Sequence, residues 1–189
     1  LLVALLVGGL TTPALAQKPV KIGVLTPLSP PGDASAGQFI VRGAKMGAED
    51  VNARGGVLGG RKIELVIEDD AGTPEKGAAG FRKLASQDQV VAVVGQFHSS
   101  VMTAAQVLAE QFKVPVFATQ ASARGITEKH LNYTFRTHVI DPDRVQLWNR
   151  WIMERGFKRV ALITENTDYG VGLVEETKNF FKSMGVQAE

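Results

Sequence analysis

Apolar positions along this chain follow two alternating rhythms: short, nearly unbroken runs, and longer stretches in which apolar residues recur every third or fourth position. The run at 20–25 (VKIGVL) reads as a strand that stops at Thr26-Pro27. A loop rich in Pro, Gly and Ser follows over 28–36. From Gly37 onward, Phe39, Ile40, Gly43, Ala44, Gly47, Ala48 and Val51 share helical spacing, and the Gly55-Gly56 pair ends that helix. Residues 62–68 alternate polar and apolar, as a strand with one wetter face does. Thr73 and Pro74 suit the cap and first position of a helix running to about Ser86. The almost purely apolar run at 90–95 predicts a strand covered on both faces. A helix over 99–112, a strand over 114–118, an extended piece over 133–137, a helix over about 141–155, a strand over 159–164 and a helix over 169–184 complete the pattern. A further strand starts at 186–189.

Strands alternating with helices predict an α/β fold: a doubly wound parallel sheet with helices on both faces, in three layers. In such sheets ligands sit beyond the carboxyl ends of the strands. The loops to inspect are therefore 28–37, 69–74, 96–100, 119–127 and 165–170. The rhythm breaks once, after the extended piece, and a domain crossing is expected at about 138–142. That divides the chain into a nearly complete first lobe over 17–137 and the opening of a second over 138–189.

The first 16 residues differ from the rest. LLVALLVGGL is apolar and uncharged, and TTPALA ends in the small-x-small pattern of a secretory cleavage site. Such a run is too short for a spanning helix, which needs about 20 residues. Residues 1–16 are therefore expected to be a signal peptide that lacks its start, placing the mature chain in the periplasm. Composition removes several functions. Lys+Arg number 21 and Asp+Glu 19, a net charge of +2, so no basic surface argues for nucleic acid. There is no cysteine, hence no thiol nucleophile and no cysteine-held metal. The three histidines, His98, His130 and His138, lie far apart, which gives no support to a metal site. No sequence signature calls for a cofactor; the six-residue stretch 55–60, GGVLGG, follows a helix and precedes a strand, the wrong order for cradling a pyrophosphate.

Two loops carry candidate chemistry. Ser99 and Ser100 stand where a strand has ended and a helix begins, so they either cap the helix or help its free N–H groups hold an anion. A nucleophile reading is weaker: there is no G-x-S-x-G elbow, and His98 and Ser99 are adjacent on an extended backbone. The next loop, Thr119-Gln120-Ala121-Ser122-Ala123, again offers small side chains, a hydroxyl and amides. Together they could converge on one carboxylate. Three or four hydrogen bonds to a charged group, at ~1.5–3 kcal/mol each, supply most of the ~8 kcal/mol of a micromolar site. Tyr169, on the corresponding loop of the second series, offers a flat face with a hydroxyl tip. Asp69 and Asp70, ahead of Ala-Gly-Thr-Pro, read as turn formers rather than as an acid pair or metal site.

In this order KIGVLTPLS, EDVNARGGVLGGRKIELVIEDDAGTPEK, VVAVVGQFHSS, VPVFATQASA, YTFRT and RVALITENTDYGVG cover nearly the whole chain after its first residues. Their series resembles the amino-terminal portion of periplasmic solute-binding proteins of ABC transporters, of the leucine/isoleucine/valine-binding type. The resemblance implies two doubly wound lobes that close on a small solute and deliver it to a membrane permease of an ABC importer. It matches Ser99 to a serine that binds the ligand carboxylate, Gln120, Ala121 and Ser122 to a loop that binds the same group, and Tyr169 to an aromatic that covers the ligand. An aromatic often stands just before the glycine at Gly37; here Ala36 does, which leaves room for a bulkier aromatic acid beside an aliphatic amino acid. A sensor domain of the same fold is the alternative. The acid that receives an amino acid's ammonium group is expected beyond Glu189.

Overall fold

The computed structural model describes residues 17–185 and 187–188, and the expected signal segment at 1–16 lies outside them. Strand β1 (Val20–Thr26) leads into helix α1 (Ala34–Ala53), then β2 (Ile63–Asp69), α2 (Pro74–Ser86), β3 (Ala92–Gly95), α3 (Ser99–Phe112) and β4 (Val116–Ala118). A 3-10 turn at Arg124–Ile126 precedes β5 (Thr134–Arg136). Then come α4 (Asp141–Glu154), β6 (Arg159–Val160), α5 (Asp168–Ser183) and β7 (Gln187–Ala188). The first five strands form one parallel sheet in the order β2-β1-β3-β4-β5, and β6 and β7 form a parallel pair of their own. This is the α/β architecture that the alternating rhythm predicts.

The sheet order reverses at β1. From there the chain goes first to β2 on one side and then, through α2, to β3 on the other. Loops leaving β1 and β3 diverge at that point and open the crevice expected of a doubly wound sheet. The register sets its depth: Leu25 pairs with Gly95, and Gly95 with Ala118, so β1, β3 and β4 end level with one another.

Helices α2 and α3 cover one face of the sheet. Leu25, Phe81, Leu84, Val93, Met102, Ala105, Ala109, Val116 and Ala118 are buried there in one cluster. Burial of a side chain the size of Phe81 or Leu84 stabilises by roughly 1.5–3 kcal/mol. Val101 packs against Gly77, where an added Cβ would come within 2.3 Å of Val101 Cγ1, so α2 and α3 approach closely. Helix α1 lies on the other face.

Local signals explain most boundaries. Thr73 caps α2, its hydroxyl accepting from the Lys76 amide at 3.4 Å with Pro74 next in the chain. The Asp69–Asp70 pair forms the turn as expected: Asp69 Oδ1 accepts from the amides of Leu28 (2.7 Å) and Ala71 (2.8 Å), and Asp70 Oδ1 from Gly72 (2.7 Å). Two expectations need correction. Helix α1 begins at Ala34 rather than Gly37, because Asp33 caps it by accepting from the Ala36 amide at 2.9 Å. Strand β6 spans only Arg159–Val160 although the apolar run continues to Ile163; its pairing ends at the register Val160–Ala188, and Ile163 is exposed.

Candidate functional site

The geometry starts at the end of β3. Gly95 has φ +126°, and a Cβ there would lie 2.3 Å from the Leu25 carbonyl oxygen, so the turn away from β1 requires glycine. Gln96 follows at φ +68° without being glycine, a strained conformation that its surroundings must hold. Its amide and its side-chain Nε2 both donate to the Leu25 carbonyl, at 2.9 and 3.2 Å, and the residue is fully buried. Its own carbonyl accepts from the amides of Gln120 (3.4 Å) and Ala121 (3.0 Å). The loops after β3 and β4 are thus locked together through Gln96.

Ser99 is not the cap of α3. That place belongs to His98, which makes no side-chain cap bond. The His98 ring instead accepts, through Nε2, from the Asp33 amide at 3.4 Å. The Ser99 hydroxyl accepts from the Ala123 amide at 3.2 Å and so faces the neighbouring loop. The helix makes its first bond from the Met102 amide to the His98 carbonyl at 3.0 Å. The amides of Ser99 and Ser100 have no acceptor among the described residues, so the positive end of α3 points into the crevice unmet. Ser122 is buried; its carbonyl accepts from the Asp141 amide at 3.1 Å, and its own amide has no acceptor among the described residues.

The second series meets these loops from α4 and α5. Arg144 Nη2 donates to Ser122 Oγ (3.3 Å), to Asp141 Oδ1 (2.5 Å) and to the Tyr169 hydroxyl (3.4 Å). Its guanidinium carbon lies 5.6 Å from the centre of the Tyr169 ring and 5.8 Å from that of Trp148, within cation–π reach. Tyr169 is placed by the start of α5, where Thr167 caps the helix by accepting from the Gly170 amide at 3.3 Å and also donates to Glu165 Oε1 at 2.8 Å. Gly170 cannot be replaced cheaply, since a Cβ would lie 2.0 Å from the Glu165 carbonyl oxygen. Nearby His138 has its pKa lowered by burial first and by the positive charges of Arg144 and Arg136, against an opposing pull from Asp141, so its surroundings favour the neutral ring.

A cleft of about 290 Å³ results, lined by Phe97, His98, Ser99, Gln120, Ser122, Arg144, Glu165 and Tyr169. Of the residues expected from sequence, Ser99, Gln120, Ser122 and Tyr169 come together on its wall. Ser100 and Ala121 do not line it. Ala121 belongs to the buried core, and its amide, like that of Gln120, is taken by Gln96. Sequence reasoning missed Arg144 and Glu165. Arg144 sits three residues into α4 from Asp141, in a stretch that reads as an ordinary charged first turn; only the tertiary fold brings it to Ser122. A second cavity of about 670 Å³ shares Phe97 and Gln120 with the cleft; Thr119 adds one more polar residue, and the rest of its wall, Ala36, Phe39, Ile40, Gly43, Ala44 and Val94, is apolar. Hydroxyls, unmet amides and one guanidinium at the mouth of an apolar hollow can hold a small acid by its charged end and bury its body. Ser99 and His98 are not hydrogen-bonded to each other, each being turned to a different partner.

A family model described as periplasmic binding protein matches residues 19–188. An amino acid binding protein of Pseudomonas aeruginosa is 35% identical over 180 residues, covering 95% of this chain and 47% of its own. The leucine-binding protein LivK of Thermotoga maritima superposes with a TM-score of 0.82 at 26% identity, over 90% of this chain and 47% of that one. A solute-binding protein of an ABC transporter from Rhodopseudomonas palustris, in complex with 3,4-dihydroxybenzoic acid, gives 0.79 at 26% identity, over 91% and 46%. The chain spans about half the length of these relatives.

Proposed function

The chain belongs to the periplasmic binding protein family, and on that premise we propose that it is the amino-terminal part of a solute receptor that captures a small carboxylate and delivers it to an ABC-type importer. Residues 17–137 serve as the first lobe and 138–189 open the second, with the solute held between them. Residues 1–16 act as a secretory signal, which places the receptor in the periplasm. A branched-chain or related amino acid is the leading solute.

The observation that carries this reading is the convergence of Ser99, Ser122, Arg144 and Tyr169 on one cleft at the carboxyl ends of level parallel strands. Binding rather than catalysis is supported by the hydrogen bonds of the Ser99 hydroxyl and the His98 ring nitrogen, which go to different partners and not to each other. A second reading, an aromatic acid as solute, is favoured by the apolar cavity beside Ala36, where a larger side chain would close the space. Calorimetric titration of the full-length protein with branched-chain amino acids and with benzoate and its hydroxylated forms tests both. Binding at micromolar concentration or tighter is expected for one of the two sets; no binding of either would overturn the proposal.

A further inference from the structure

The geometry points to Arg144 as the residue that makes the cleft require a charged carboxylate rather than its neutral amide; the inference rests on the binding-protein reading above and names what decides its solute class. Hydroxyls and main-chain amides can serve a carboxamide nearly as well as a carboxylate, because a carboxamide oxygen accepts the same bonds and its NH₂ can donate to a hydroxyl. A fixed guanidinium cannot: its donors suit two anionic oxygens, and hydrogen bonds between two charged groups are roughly twice as strong as neutral ones.

Arg144 is held for this purpose and is not used up by its neighbours. One nitrogen, Nη2, makes all three of its hydrogen bonds. Nε is buried with no acceptor, and Nη1 has none among the described residues. The rings of Trp148 and Tyr169 both lie within cation–π reach of the group. Its acid partner, Asp141, is 1% exposed and borders a different hollow, with Arg124 and Asp168, so it fixes the guanidinium without occupying the cleft. Glu165, the acid on the cleft wall itself, is exposed and already accepts from Thr167. Arg144 therefore lines the same cleft as Ser99 and Ser122, with Nη1 carrying no partner among the described residues.

The test compares each acid with its own amide in the full-length protein by calorimetry: benzoate against benzamide, and L-leucine against L-leucinamide. The wild type is expected to bind at least one acid ten times or more tighter than its amide. In Arg144→Gln that ratio should fall to within about threefold, through loss of acid affinity on the order of 10- to 100-fold while amide affinity holds. Arg144→Lys, which keeps the charge and loses the fork, should fall between. The thermal unfolding midpoint identifies a variant that fails to fold, in which case Arg144→Lys alone decides, a ratio unchanged from wild type counting against the inference. A folded Arg144→Gln that keeps the full preference, or a wild type that binds acid and amide alike, overturns the inference and leaves the binding-protein reading standing. A wild type that binds no branched-chain amino acid, neither benzoate nor its hydroxylated forms, and neither amide overturns both.

Discussion

Arg136 frames Ser122 from both sides: its Nη1 donates to the carbonyl of Ala121 at 3.0 Å and its Nη2 to the carbonyl of Ala123 at 2.7 Å. Nη2 also reaches Thr127 Oγ1 at 3.2 Å. Burial lowers the pKa of this guanidinium, with Asp141 and Glu128 opposing, yet an arginine stays charged at any ordinary pH. The arrangement sets the conformation of a loop whose regular structure is limited to the 3-10 turn at Arg124–Ile126. Arg136→Ala would leave two carbonyls without their charged donor. A stability loss of about 2–3 kcal/mol is expected from denaturant unfolding. Calorimetry should show weaker solute binding although Arg136 does not line the cleft; unchanged affinity in a folded variant would refute the framing role.

How much of this could be read from the sequence divides cleanly by range. The order of strands and helices is local information, carried by runs such as 90–95 and by caps such as Thr73, and it survives in the structure. Ser99, Ser122 and Tyr169 were legible because a parallel sheet dictates which loop ends face the crevice. Arg136 and Arg144 were not, since each acts on a segment far along the chain: Arg136 on 121–127, Arg144 on Ser122 and Tyr169. Nothing in the spacing of charges foretells such a meeting. The engagement of the Gln120 and Ala121 amides by Gln96 was equally hidden, because it follows from a left-handed residue that is not glycine.

Two glycines of α1 should respond oppositely to alanine. At Gly37 a Cβ would lie 1.6 Å from the Pro27 carbonyl oxygen, so the β1 loop and α1 must separate to admit it. At Gly43 nothing lies within 4 Å. Gly43→Ala should raise stability by roughly 0.5–1 kcal/mol through helix propensity, while Gly37→Ala should lower it by about 2 kcal/mol or more. Equal effects in thermal unfolding would show that the close approach at Pro27 does not constrain the loop.

Ala36 sets the size of the apolar hollow. Its amide is already used in capping by Asp33, at 2.9 Å, so a larger side chain leaves that bond intact. Ala36→Phe should fill part of the cavity of about 670 Å³. Whichever solute the wild type binds, a bulkier homologue should lose on the order of tenfold more affinity than a smaller one, because overfilling a packed site costs roughly 1–3 kcal/mol. A uniform loss across sizes would place the solute body elsewhere.

Asp70 gives the fold a pH dependence with a definite sign. Its side chain is fully buried just past the end of β2, and Oδ2 has no hydrogen-bond partner among the described residues. Burial raises its pKa from 3.8 to about 6, with the neighbouring charge of Asp69 adding to the rise and the bond from the Gly72 amide opposing it. Because the folded pKa lies above the unfolded one, the native state holds a proton that the unfolded chain has released between these values. Stability therefore falls as pH rises from about 4 to about 6, and the penalty is constant above that window. Asp70→Asn mimics the protonated side chain and keeps an oxygen for Gly72. It should stabilise by up to about 3 kcal/mol at pH 7, and the gain should vanish near pH 4. Denaturant midpoints of both proteins between pH 4 and 8 would measure this, and a difference independent of pH would show that Asp70 is ionised in the folded state throughout.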